Sequence, residues 1–319
     1  MATRTTFGDH APRYAAVDIG SNTVKLTIVA RASDGDLTPV LDAGVTTRLG
    51  EGIEQRRLGE EPMRRTLEAL GRCMSVCEEH GVEEIRAVGT SALRDARNSR
   101  DFVEKARAIG LAVDVISGAE EAHLSAQAVR ADPMWRHVER LAVVDIGGGS
   151  TEIILDTVGA SAQRKDVSLQ LGAVRLTEAA LHSDPPTPTE IEQAVAHADA
   201  ALSAIRDQSG ERGVSGVVGV GGTVTNMGAV RSAVAGGATD ERLHGLVLKR
   251  AEIERQIAMY AGVPTQLRKT IAGLDPARAD VILAGAIILS RVLAALGRDE
   301  VAVSCRGLRW GVLYESFAS

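Results

Sequence analysis

Leu141-Ala142-Val143-Val144-Asp145-Ile146-Gly147-Gly148-Gly149-Ser150-Thr151-Glu152-Ile153-Ile154-Leu155 reads as a buried strand, a tight turn and a second buried strand. The apolar, β-branched runs favour strands, and three successive glycines let the backbone bend sharply and approach a ligand closely. The same shape occurs near the start of the chain, in YAAVDIGSNTVKLTIV from Tyr14 to Val29. Each copy runs through a strand to an aspartate, Asp18 or Asp145, then Ile-Gly, a small polar turn and another strand. Two matched units so far apart predict two domains of similar build facing each other.

The rest of the chain extends this pattern. Ser33–Asp36 supplies a hairpin turn before a third strand near Leu37–Leu41. Short apolar runs at Ile85–Val88, Val113–Ile116, Leu141–Ile146 and Val214–Val220 alternate with helical segments. That alternation marks an α/β protein. Helices are expected from Pro62 to about His80, from about Glu190 to Ile205, over the apolar stretch Ala277–Leu296, and over Gly307–Phe317. The apolar stretch reads as core, although it could also serve a homodimer. Ala/Gly-rich Ser232–Thr239 reads as a loop. Two domains are expected, 1–124 and 125–319, with the last helix, about 306–317, packing back on the first.

The 319 residues are 45% hydrophobic and 24% charged, which excludes disordered and collagen-like chains. Only 3% are aromatic, too few for a base-stacking surface. With 36 basic and 42 acidic residues the net charge is −6, opposite to that of a non-specific nucleic-acid binder. A polyanion would have to be held by a local cluster of cations and backbone N–H groups. Cys73 and Cys77, four apart on one helix face, and Cys305 read as thiols in a reducing cytoplasm. No apolar run precedes the first strand, so neither signal peptide nor anchor is expected, and no stretch is long enough to span a bilayer. A cytoplasmic protein with neither nucleic-acid nor membrane partners is the expectation.

The chemistry gathers on the turns. Gly147, Gly148 and Gly149 can aim several N–H groups into one concavity suited to phosphate oxygens, and Ser21, Asn22, Thr23, Ser150 and Thr151 add donors. Each turn starts from an acid at a strand end, Asp18 or Asp145. A carboxylate beside bound phosphates repels them unless a hard cation such as Mg2+ lies between, and Glu152 is a further candidate ligand. A third glycine cluster, Gly219–Thr223, follows a strand and opens a helix, a position that attracts anions. It lacks the last glycine of the dinucleotide fingerprint, and the chain has no Walker A segment and no G-x-S-x-G elbow. In VISGAEEAHLS, Ser117 and Glu120 fit a capping box, which leaves Glu121 either to orient a water for attack on phosphorus or to stand as a solvated first-turn acid. Lys25 follows the first turn, and Arg94 can grip phosphate or form a surface ion pair with Asp95 or Asp101. His123 and His244 read as ordinary polar residues.

The motifs DIGSNTVKL, GTSALRDA, SGAEEAHLS, DIGGGSTE, ARADVILAGAIIL and GLRWGVL, in that order, resemble the exopolyphosphatase/guanosine pentaphosphate phosphatase family from about Tyr14 to Leu313. That family belongs to the actin and sugar-kinase superfamily. The resemblance implies two ribonuclease-H-like domains with the active site in the cleft between them. It implies Glu121 as catalytic base and Asp145 and Glu152 as metal-associated acids, with Asp18 beside them. It further implies that Ser21–Thr23, Lys25, Arg94, Gly147–Ser150 and Gly221, Gly222 and Thr223 contact the phosphates. The implied activity is Mg2+-dependent removal of a terminal phosphate from inorganic polyphosphate, or alternatively from guanosine pentaphosphate. A kinase of the same superfamily and a non-catalytic regulator binding polyphosphate or guanosine tetra- and pentaphosphate are the rivals. Longer members carry an extra C-terminal helical region that helps hold long chains. This sequence ends shortly after GLRWGVL, so short to medium chains or the guanosine substrate are expected rather than processive hydrolysis.

Overall fold

The computed structural model describes residues 11–158, 163–206, 213–233 and 241–318. The chain forms two compact units, residues 1–116 with 308–319, and residues 117–307.

The first unit is built on β1 (Arg13–Ile19), β2 (Thr23–Arg31), β3 (Leu37–Thr46), α1 (Glu60–Glu79), β4 (Val82–Gly89), α2 (Ser91–Asp95), α3 (Ser99–Ala108) and β5 (Val113–Val115). Its sheet has the order β3-β2-β1-β4-β5. The first three strands are antiparallel, while β4 and β5 run parallel to β1. At the β2–β3 turn Gly35 takes φ 90°, a conformation an L side chain resists. β3 continues to Thr46, beyond the expected Leu41, because every residue from Thr23 to Arg31 finds a partner on it. Ile19, Ile28, Leu70, Leu93 and Phe102 fill the core. Cys77 is buried there, and desolvation pushes its thiol up to about 11.

The second unit contains α4 (Gly118–Ala131), β6 (Arg140–Ile146), β7 (Thr151–Thr157), β8 (Gln163–Leu169), α5 (Ala173–Ala180), α6 (Pro188–Ala201), α7 (Ser203–Arg206) and β9 (Gly216–Val220). It continues through α8 (Gly221–Ser232), β10 (Val247–Lys249), α9 (Arg250–Ala261), α10 (Thr265–Arg268), α11 (Ile282–Ala295) and β11 (Glu300–Val303). The sheet order is β10-β11-β9-β6-β7-β8. β8-β7-β6-β9-β11 therefore repeats β3-β2-β1-β4-β5 in both order and strand direction. The duplicated sequence shape is a duplicated fold.

Two boundaries and one helix cap differ from the sequence reading. The division between the units falls after Ile116 rather than after 124, since α4 is one continuous helix whose buried face packs on β6, β7 and β8. The apolar helix starts at Ile282, not Ala277. Asp275 and Pro276 instead set a single 3-10 turn over Pro276–Arg278, with the Asp275 carboxylate accepting from Ala277 N at 2.9 Å. That helix is almost wholly buried among Tyr260, Leu202, Leu248 and their neighbours, so its apolar surface is consumed by the core. The full reciprocal capping box occurs at Thr187/Glu190, whereas at α4 Ser117 Oγ accepts from Glu120 N at 3.1 Å while the Glu120 side chain is exposed. The loop expected at Ser232–Thr239 falls mostly outside the described residues; Ser232 still belongs to α8.

The last helix, α12 (Leu308–Phe317), packs on β1, β2 and β4 of the first unit. Phe317 stacks on Tyr14 with ring centroids 4.3 Å apart. Arg309 enters this packing with only 9% exposure and donates to Asp42 Oδ1 at 2.5 Å and Leu26 O at 3.2 Å. Truncating it strands Asp42 in a poorly solvated position. Arg309→Ala should cost about 2–4 kcal/mol in urea unfolding, and Arg309→Ala combined with Asp42→Ala should recover part of that loss.

Candidate active site

The two hairpin turns are built alike. In the first, Gly20 N donates to Thr23 O at 3.1 Å; in the second, Gly147 N donates to Ser150 O at 2.9 Å. What faces each aspartate differs. Strand register sets Asp18 opposite Lys25 and Asp145 opposite Glu152, so each pair shares a sheet face at cross-strand contact distance.

In the first unit, Ser21 and Asn22 are buried, each 5% exposed. The segment 47–50 clamps their backbone: Thr47 N and Arg48 N both donate to Asn22 O at 3.0 Å, and Gly50 N donates to Ser21 O at 2.8 Å. A Cβ at Gly50 would lie 2.9 Å from Ser21 Cβ, so the clamp needs glycine there. Asn22 Nδ2, Thr47 Oγ1 and Ser91 Oγ are buried hydrogen-bonding groups with no protein partner. Native proteins leave few such groups, and three around one turn at the ends of β1 and β4 make a donor-lined seat for oxygen ligands. Asp18 Oδ1 is likewise buried and unpartnered. Burial raises the Asp18 pKa, with Lys25 and Arg309 pulling the other way. Arg94, on α2, donates to Ile116 O at 3.1 Å.

In the second unit the glycine turn is fixed by its carbonyls. Ala173 N donates to Gly147 O at 2.9 Å, and Val174 N and Arg175 N donate to Gly148 O at 2.8 and 3.1 Å. Arg175 Nε donates to Gly149 O at 2.9 Å. With all three carbonyl oxygens tied to the start of α5, the negative ends of the turn's peptide dipoles face away from any anion its amides could meet. The approach is very close: a Cβ at Gly172 would lie 2.3 Å from Gly148 O. The third glycine cluster arrives beside it. Gly221 has φ 82°, and a Cβ there would sit 2.4 Å from Asp145 Oδ1; one at Gly222 would sit 2.0 Å from an Arg278 guanidinium nitrogen. Thr223 Oγ1 donates to Ile146 O at 3.4 Å.

Glu121 resolves the alternative the sequence left open about its environment. It is 7% exposed, and so not a solvated first-turn acid. Ser125, one helical turn along the same buried face of α4, donates to Asp145 Oδ2 at 3.3 Å. Residues four apart on a helix are neighbours, about 6 Å between Cβ atoms, so Glu121 stands one turn from that bond. Glu152 is fully buried, with Oε1 accepting from Ser168 Oγ at 2.8 Å. One region of the second unit thus combines Glu121, Asp145 and Glu152 with two glycine turns.

The residues missed from the sequence are Ser125, Arg175, Ser168 and Arg278. Burial presses down the Arg278 pKa against the fields of Asp275, Asp280 and Asp145. Two of them had a signal: Ser125 closes SGAEEAHLS at i+4 from Glu121, and Arg278 lies in ARADVIL. His123 is exposed, while His244 Nε2 and Asp132 Oδ2 lie 2.9 Å apart as a structural polar pair.

Asp145 and Glu152 offer hard oxygen donors side by side, a fit for a divalent cation. Among the described residues no group of three or more His, Cys, Asp or Glu forms a ready cage. A cation here would complete its shell with waters and phosphate oxygens, the habit of Mg2+. No helix of the described chain is long and apolar enough to cross a membrane.

Comparison with known proteins identifies the family and the fold. Residues 28–319 match the model of the Ppx/GppA phosphatase family. Exopolyphosphatase 2 of Mycobacterium tuberculosis is 34% identical over 308 residues, covering 92% of this chain and 94% of that protein. The guanosine-5'-triphosphate,3'-diphosphate pyrophosphatase of Photobacterium profundum is 33% identical, covering 96% of this chain and 59% of that longer protein. The crystal structure of the Aquifex aeolicus Ppx/GppA family member superposes with a TM-score of 0.77 at 33% identity, covering 96% of this chain and 97% of that one. The chain belongs to the Ppx/GppA phosphatase family and has its actin-like α/β fold.

Proposed function

We propose that the chain is an exopolyphosphatase that hydrolyses the terminal phosphate of inorganic polyphosphate of short to medium length. The observation that carries this is the buried Glu121 on the helix face that also delivers Ser125 to Asp145, the acid just ahead of the Gly147–Gly149 turn.

Glu121 orients a water and takes its proton as the water oxygen attacks the terminal phosphorus. The P–O bond to the next phosphate breaks, releasing inorganic phosphate and a chain one unit shorter. Amides of Gly147–Ser150 and Gly221–Thr223, with Arg278, stabilise charge on the transferred phosphoryl oxygens. Mg2+ held by Asp145 and Glu152 would neutralise phosphate charge and polarise the scissile bond. Within the first unit, Asp18, Ser21–Thr23, Lys25 and Arg94 form a polar turn of their own with groups suited to phosphate oxygens. Guanosine pentaphosphate 5'-phosphohydrolysis is the second reading, favoured by the similarity to the Photobacterium profundum enzyme.

A phosphate-release panel of tripolyphosphate, longer polyphosphate, guanosine pentaphosphate and ATP, each with and without Mg2+, tests the assignment. Mg2+-dependent release fastest from polyphosphate is expected; release only from the guanosine substrate would move the assignment to the second reading. Glu121→Gln should lower kcat about 10²- to 10⁴-fold while leaving the circular dichroism and melting curve unchanged. Gly172→Ala pushes a methyl into the Gly148 carbonyl, so it should weaken substrate binding and cost about 1–3 kcal/mol in thermal unfolding.

A further inference from the structure

Beside the clamp on the Ser21–Asn22 turn lies a group of arginines that the chemistry above does not use. The segment after Gly50 makes a 3-10 turn at Ile53–Gln55 and ends on Arg56, whose φ of 53° is in the left-handed region that non-glycine residues avoid. Arg97 N donates to Arg56 O at 2.9 Å. Asn98, 7% exposed, locks the same two segments together: its Oδ1 accepts from Leu58 N at 2.8 Å and its Nδ2 donates to Leu58 O at 3.1 Å. Two loops are thereby welded so that Arg56, Arg57 and Arg97 emerge from touching backbone positions. All three side chains are exposed and, among the described residues, form no ion pair or hydrogen bond. Elsewhere on the surface arginines meet acids, as Arg64 does with Glu61 and Glu68 and Arg255 with Glu252.

Three guanidinium groups, unpaired among the described residues, are held together against their own repulsion by a buried asparagine and a strained backbone. On a chain of net charge −6 such an arrangement calls for an anion of matching length. The clamp segment joins this group to the turn whose buried donors await oxygen ligands.

We propose that Arg56, Arg57 and Arg97 form an anion-binding platform, continuous with the Ser21–Thr23 turn, that takes the distal phosphates of a linear inorganic polyphosphate. The platform deepens the exopolyphosphatase reading by making substrate affinity depend on chain length. A guanidinium fork binds phosphate oxygens two at a time, and successive phosphates meet successive forks. Tripolyphosphate occupies the turn alone; longer chains gain the platform.

The test is equilibrium binding of tripolyphosphate and of polyphosphate tens of units long, in EDTA, to the wild-type chain and to a triple variant, Arg56→Asn, Arg57→Gln and Arg97→Gln. Asparagine at 56 tolerates the left-handed backbone. The triple variant should bind the longer chain about tenfold or more weakly at low salt, with a shallower salt dependence, and bind tripolyphosphate as the wild type does. Lysines at the three positions should restore most of the affinity, and Arg107→Gln on the far end of α3 should change nothing. Equal binding of the longer chain by wild type and triple variant, or no binding of polyphosphate by the wild type, overturns the platform. A single-stranded oligonucleotide bound as tightly, with the same dependence on the three arginines, overturns its assignment to inorganic chains. Arginine-dependent binding in EDTA, with no phosphate release from any substrate of the panel once Mg2+ is supplied, would uphold the platform while refuting the hydrolase reading.

Discussion

Two carboxylates face each other across a hairpin in the second unit, and one of them is wholly shielded from solvent. At cross-strand distance, about 5 Å, with an effective dielectric of about 20, their repulsion is about 3 kcal/mol. The surroundings of Asp145 and Glu152 answer that cost. Ser125 and Ser168 donate hydrogen bonds to them, and the Arg278 guanidinium lies in the field of Asp145. Retaining two such acids is a demand for positive charge, and α4, through Ser125, and the 3-10 turn that carries Arg278 both reach toward Asp145.

The first unit shows the alternative solution to the same backbone. Its hairpin has the same strand order and the same turn hydrogen bond, yet its aspartate faces Lys25. One duplicated frame thus yields a cation-demanding turn and a turn whose acid meets a protein cation. Both turns have their carbonyls anchored by a neighbouring segment, 47–50 in the first unit and the start of α5 in the second, and the first adds buried side-chain groups without a protein partner.

Much of this was legible in the sequence because it is local. Asp18 and Asp145, the turns after them and the strands around them follow from alternation, β-branching and glycine placement within fifteen residues. Glu121 was harder. Spacing puts it in the first turn of a helix, where a solvated acid is equally reasonable, and only the packing of α4 on β6 and β7 buries it. The start of α11 was misplaced because a proline-led 3-10 turn and a helix share the same local composition.

Sequence by itself determined the duplicated α/β units, the glycine turns and which acids belong to them, since strand period and backbone freedom are properties of neighbouring residues. Tertiary structure alone decided that Ser125 reaches Asp145, that Arg278 lies against Gly222 and that Arg97 is bonded to the loop of Arg56. Those contacts join positions up to tens of residues apart. They arise from how helices and loops settle on a sheet, and no local spacing encodes them.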